Sequence, residues 1–295
     1  MTAISAYLNG AKWSIRTLKM WGWLYICNFV LAALVAVPLM SLFEEKLDHS
    51  FAVQHLMEGF DYTVFTDFIN AYGAAIIPIL SQAKLLIALY ILLSVFLMGG
   101  ILEISKFPSQ KTHFQLFAVG SIKYFWRLFR MTIYFLVIHL LFFFLFFQLF
   151  WWLIHGGDLK QLDSELVIYS RGAIVLSVYL FFAGILSIIH DYAKIFLAQN
   201  NARIVVTAIK NGAQIVFKNF KSIFFLSILN WLTFVIISCL YLTFRGDDLN
   251  SSPSRLWFIF FLGQFFIFLR MGLKILNIKS KTLLFQNFFN KKTIK

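Results

Sequence analysis

The 295-residue chain reads as an all-α polytopic membrane bundle, with six transmembrane helices arranged as three parallel two-helix repeats and amphipathic interfacial helices leading into them. Three observations predict this. The composition is 60% apolar and 13% charged with a mean hydropathy of +0.80, against about 45–50% and about 25% in ordinary soluble domains. Long uncharged apolar runs recur along the whole chain, and the charges between them sort to one side. Few prolines (4) and cysteines (2) exclude a disordered, collagen-like or disulfide-framed chain.

Crossing roughly 30 Å of hydrocarbon takes about 20 helical residues. Residues 20–43, 85–102, 131–154, 172–189 and 222–244 meet that requirement outright. A sixth run, 256–269, is interrupted by Arg270 and completed by 271–278 if Arg270 and Lys274 snorkel to the headgroups. The runs must be helices, because no water satisfies an open backbone inside a bilayer. The first has 24 residues, too long for the apolar core of a cleavable signal peptide, and is read as an uncleaved span. Cys27 falls in the inner half of span 1 and Cys239 in the outer half of span 5, so they are placed too far apart in depth to bond.

Twenty of the 26 basic residues lie before span 1, between spans 2 and 3, between spans 4 and 5, and after span 6, with only Glu103 and Asp191 as acids. The opposite loops hold the other six bases and 11 acids, so the faces carry about +18 and −5. Lys and Arg are retained on the cytoplasmic side, which predicts a plasma (inner) membrane protein with both termini cytoplasmic. The overall charge of +13 then reports topology and calls for no nucleic acid.

The odd-numbered spans share a lead-in: a glycine, then two basic residues three apart, then the apolar run. The copies are Gly10 with Arg16 and Lys19, Gly120 with Arg127 and Arg130, and Gly212 with Lys218 and Lys221. Each returning span carries glycine in its inner half (Gly99 and Gly100, Gly184, Gly272), expected to allow close helix approach, and a charge at its exit (Glu103, Asp191, Lys274). A single membrane domain results, with repeat units of about 1–106, 107–200 and 201–280 and a basic interfacial tail over 281–295. Mitochondrial carriers share the size and span number, but their proline-acid-base signature is missing, since Pro38 is followed by Leu39, Met40 and Ser41.

Residues 204–221 set Ile204, Val205, Ala208, Ile209, Ala213, Val216 and Phe217 against Arg203, Thr207, Lys210, Asn211, Gln214, Lys218 and Lys221 at helical spacing, as in a helix lying in the headgroup plane. Residues 114–130 read likewise. The outer loop, 44–81, mixes acids with aromatics and is read as short helices, with 71–80 dipping back into the membrane before span 2.

No reactive constellation stands out. There is no zincin-spaced histidine pair, no phosphate-cradling glycine loop and no nucleophile elbow, so no catalytic, metal or cofactor residue is assigned and no cofactor is expected. Polar residues within spans are His139, Gln148, Asn230 and Gln264, read as interhelical hydrogen-bonding groups. At the inner boundary Glu103, Asp191 and Arg270, with His190 and Lys194, are candidates for ion pairs with the lead-in bases. Arg16, Lys19, Arg127, Arg130, Lys218 and Lys221 are candidate contacts for anionic headgroups, because guanidinium binds phosphate bidentately and ammonium adds point charge.

The string Gly59-Phe60-Asp61-Tyr62-Thr63-Val64-Phe65-Thr66-Asp67-Phe68 and the segment His190-Asp191-Tyr192-Ala193-Lys194, together with the repeated lead-in, resemble a group of uncharacterised six-span bacterial membrane proteins. More distantly the chain resembles the membrane domain of some glycerophosphodiester phosphodiesterases, without their soluble catalytic barrel. The resemblance implies topology rather than chemistry. The expected function is non-enzymatic handling or sensing of lipid or a small amphiphile, with membrane lipid as the partner, anionic by charge. The alternatives are a permease subunit working with a separate ATPase, a homo-oligomer being open in either case, and a membrane enzyme acting on lipid phosphate through Asp191 and His190.

Overall fold

Wherever the chain is apolar enough to enter lipid it is helical, and no strand occurs among the described residues. The computed structural model describes residues 2–47, 62–107, 114–155, 165–246 and 253–293. Among the described residues eight helices follow one another: α1 (Ala3–Arg16), α2 (Leu18–Leu47), α3 (Tyr62–Ser105), α4 (Phe114–His155), α5 (Glu165–Gln199), α6 (Val205–Lys218), α7 (Phe220–Arg245) and α8 (Pro253–Thr293). Six of them, α2 to α5, α7 and α8, are long and apolar enough to cross a membrane. This is the predicted all-α polytopic architecture.

Two differences from the sequence reading concern helix length. Residues 71–80 do not dip back; they belong to α3, which is continuous from Tyr62 through Pro78 to Ser105. A proline is tolerated there because neighbours re-satisfy the backbone in membrane helices. At the other end the helix does not stop at 280. Helix α8 continues to Thr293, and Lys279, Ser280, Lys281 and Thr282 are all at most 5% exposed. Residues 48–61, including the Gly59-Phe60-Asp61 start of the resemblance string, lie outside the described residues.

The chain divides into two compact units. One comprises Asn9–Leu97 and Leu229–Asn277. In it α2 packs along α8: Trp21 and Tyr25 lie against Phe268, and the Tyr25 hydroxyl donates to Gln264 Oε1 at 2.7 Å. A methyl on Gly272 would come within 2.5 Å of the Trp21 ring, so glycine permits this contact. Tyr241 of α7 stacks on Phe266 of α8 at 4.7 Å. Pro38 has no N–H for the carbonyl of Leu34 four residues back, and Gln82 Nε2 of α3 donates to that carbonyl at 3.4 Å.

The other unit comprises Met1–Leu8, Met98–Ile228 and Ile278–Lys295. Here α5 packs against both α4 and α6, and α3 approaches α4 closely at Gly99 and Gly100, ahead of its last turn. A Cβ on Gly99 would sit 2.9 Å from the Gly120 carbonyl oxygen, and one on Gly100 would sit 2.5 Å from the Phe117 ring. Gly212 of α6 lies as closely on α5, where a Cβ would stand 2.8 Å from Ala193 Cα. In lipid, where tails solvate leucine as well as leucine does, such backbone approach is a main source of helix association. Gly184, expected to serve the same purpose, is exposed and faces open space.

Candidate functional site

The polar residues of the second-described unit gather where α3 and α5 end and α4 begins. Closeness of α3 to α4, set by Gly99, Gly100 and Gly120, brings Glu103 beside the fully buried Tyr124. The Tyr124 hydroxyl donates to Glu103 Oε2 at 2.9 Å and accepts from Lys106 Nζ at 2.6 Å. Lys106 also pairs directly with Glu103 at 2.5 Å, and Lys123 stands 3.8 Å from it. Lys106, Lys123 and Arg127 lie 5.0–5.8 Å from the Tyr124 ring centroid, within cation–π range.

A second acid is handled the same way. Asp191 of α5 accepts from Lys281 of α8 at 2.7 Å and from Lys194, one turn along α5, at 3.3 Å. Glu103 thus pairs with Lys106 and Lys123, and Asp191 with Lys194 and the buried Lys281; among the described residues neither acid pairs with Arg127, Arg130, Lys218 or Lys221. For Lys106 and Lys194 proximity decides this, because a lysine at i+3 is already a neighbour on the helix surface. Arg270, in the other unit, is exposed.

Two further cations close helix ends. Lys279 Nζ donates to the carbonyls of Ser105 at 2.7 Å and Phe107 at 3.1 Å, where α3 stops. Arg127 Nη1 donates to Asn201 Oδ1 at 2.8 Å and to the carbonyls of Asn201 and Ala202 at 3.3 Å, where α5 stops. Asn201 takes the left-handed conformation with φ 48°, and the Ala202 N–H returns to the Leu197 carbonyl at 3.1 Å. That is a Schellman-type closure. Cations belong at these carbonyl-rich, negative helix ends. Arg127, expected at a headgroup, is therefore half-buried and engaged with protein.

Of the remaining residues singled out in the sequence, Arg16, Lys19, Arg130, Lys218 and Lys221 are exposed. His139 and Asn230 are half-buried, Gln148 is exposed, and Gln264 holds Tyr25. His190 stacks on Phe135 with ring centroids 4.2 Å apart. Sequence reasoning missed Lys279 and Lys281 as buried members of the layer. A signal existed, since Ile275, Ile278, Thr282 and Phe285 continue the apolar spacing of α8 past position 280, and all four are buried.

Helix α6 presents three faces at about 100° per residue. Val205, Ala208, Gly212 and Val216 are buried; Val206 and Phe217 form an exposed apolar flank, 59% and 65% accessible; Thr207, Lys210, Gln214 and Lys218 form an exposed polar flank. This is a multi-pass helical membrane protein with a lysine-rich polar layer at one end of a compact unit. No protein-family model, no curated protein and no solved structure matches the chain.

Proposed function

We propose that the chain is a non-enzymatic protein of a bacterial plasma membrane that binds anionic lipid at its cytoplasmic face, with both termini on that side, and handles or senses that lipid. One observation carries the reading. At the polar end of the unit holding Asp191, both acids are committed to internal lysine pairs, while Arg203, Lys218 and Lys221 stand exposed among the exposed Ile204, Val206 and Phe217. Exposed base beside exposed aromatic and aliphatic surface matches the headgroup layer, where each Lys or Arg near an anionic leaflet contributes about 1 kcal/mol. The positive-inside bias assigns that leaflet to the cytoplasm.

Two features weigh against the alternatives. Asp191 and His190, on which a lipid-phosphate enzyme would draw, are held in an ion pair and a ring stack. Helix α6 is packed on α5 rather than projecting toward a soluble ATPase. The test is native mass spectrometry of protein extracted from vesicles of phosphatidylglycerol and phosphatidylcholine. Retained phosphatidylglycerol that is lost as salt rises supports the reading, whereas indifference to headgroup overturns it. A stoichiometric ATPase co-purifying from the native membrane replaces it with the permease reading. Reporters fused to each terminus check orientation.

A further inference from the structure

The backbone is interrupted at two matching places. Helix α1 ends at Arg16 and α2 begins at Leu18, with Thr17 between them; α6 ends at Lys218 and α7 begins at Phe220, with Asn219 between them. In both, the interrupting residue is polar and bonds back to the preceding turn: Thr17 Oγ1 donates to the Ser14 carbonyl at 2.8 Å, and Asn219 Nδ2 to the Ile215 carbonyl at 3.1 Å. Side-chain insertion of this kind is a recognised cause of a helix break. Around the breaks the burial pattern also matches. Ser14 and Val216 are 1% exposed before the break, and Leu24 and Leu226 are at most 1% exposed after it.

Each break concentrates positive charge. Arg16 and Lys218 close the last turn of the leading helix, and Lys19 and Lys221 stand in the first turn of the span that follows. A cation in a helix's first turn is repelled by the positive end of the helix dipole, and an acid there is favoured; neither α2 nor α7 has one in its first turn. All four bases are exposed, and among the described residues no acid pairs with any of them. An exposed apolar side chain precedes each break, Ile15 at 60% and Phe217 at 65%. Two exposed cations without an acid partner and an adjoining apolar side chain complement a phosphate at the top of an acyl chain.

The third basic pair differs. Helix α4 runs unbroken through Arg127 and Arg130, and Arg127 closes α5. We propose that the breaks at Thr17 and Asn219 are two equivalent docking sites for phosphate headgroups of an anionic leaflet, held by Arg16 with Lys19 and by Lys218 with Lys221, and that the Arg127–Arg130 pair is not a third. This rests on the lipid-binding reading above and adds to it the number and location of the sites.

Native mass spectrometry of the full chain extracted from the same mixed vesicles tests it. The wild type is expected to retain two phosphatidylglycerol molecules, R16Q/K19Q one, K218Q/K221Q one, and the four-fold variant none. K12Q/K210Q, which removes two exposed bases from the same helices away from the breaks, and R130Q are expected to retain two. K218R/K221R, which keeps the charge, checks that loss follows charge rather than folding and is expected to behave as wild type. Equal loss in K12Q/K210Q, or unchanged retention in the break variants, overturns the two-site assignment while leaving lipid binding standing. A wild type that retains no phosphatidylglycerol overturns both.

Discussion

Lys281 reaches Asp191 at 2.7 Å across 90 positions of sequence, with the lysine side chain 6% and the aspartate 18% exposed. The pair ties the end of α8 to α5, and Asp191 also holds Lys194 at 3.3 Å. The two partners are therefore not equivalent. D191N leaves Lys281 buried without a counter-ion, a change that costs about 3–5 kcal/mol. K281M leaves Asp191 its neighbour Lys194 and is expected to cost less, and the double variant D191N/K281M is expected to recover most of the D191N loss. Thermal unfolding in one detergent ranks the three; equal midpoints for the single variants would show that Lys194 contributes nothing to holding the acid.

Two buried tyrosines make opposite predictions. Tyr124 donates to Glu103 and accepts from Lys106, whereas the Tyr192 hydroxyl, in a fully buried side chain, has no hydrogen-bond partner among the described residues. A hydrogen bond to a charged group contributes about 1.5–3 kcal/mol, and a buried unsatisfied hydroxyl costs about 1–3 kcal/mol. Y124F is expected to lower the unfolding midpoint, and Y192F to leave it unchanged or raise it. A loss in Y192F as large as that in Y124F would mean that its hydroxyl is bonded in the membrane.

The spans were legible because they depend on composition, which position along the chain does not disguise. Val205, Ala208 and Val216 of the buried stripe of α6 were legible for a related reason, since helical period shows directly in the order of residues, but Ile204 and Phe217, read on the same face, are exposed. The polar layer was less so. Glu103 and Asp191 stand out as the only acids on their side of the sequence, yet the choice of Lys281 over a lead-in arginine depends on how α8 returns to α5. Lys279 in a basic tail reads as a solvated charge, and only the end of α3 beside it explains its burial.

Glycine shows the same limit and supplies a test. Glycine type alone does not separate Gly212 of the amphipathic α6 from Gly184 of the apolar α5, but a Cβ at Gly212 would meet Ala193 backbone at 2.8 Å while one at Gly184 meets nothing within 4 Å. Overpacking costs about 1–3 kcal/mol, and replacing an unhindered helical glycine by alanine gains up to about 1 kcal/mol in water-based scales. G212A is expected to lower the unfolding midpoint and loosen α6 from α5, read as faster proteolysis around 200–204. G184A is expected to be neutral or stabilising. A neutral G212A would mean that the two helices are not in contact.

Arg127 and Arg130 look alike in the sequence, and the structure separates their roles. Arg127 donates to three oxygens of Asn201 and Ala202 at the end of α5, while Arg130 turns back to the Trp126 carbonyl of its own helix and is exposed. R127Q is therefore expected to destabilise by about 1.5–3 kcal/mol, the range for hydrogen bonds to a charged donor, and R130Q by almost nothing. Asn201 refines the test, because its φ of 48° suits asparagine and glycine but not alanine. N201G keeps the backbone turn and loses only the 2.8 Å side-chain bond; N201A loses that bond and strains the turn as well. The expected order of unfolding midpoints is wild type, N201G, N201A, with R127Q adding little to N201G beyond its two carbonyl contacts. If N201A equals N201G, the left-handed closure of α5 does not matter to stability and Arg127 alone holds that end of the helix.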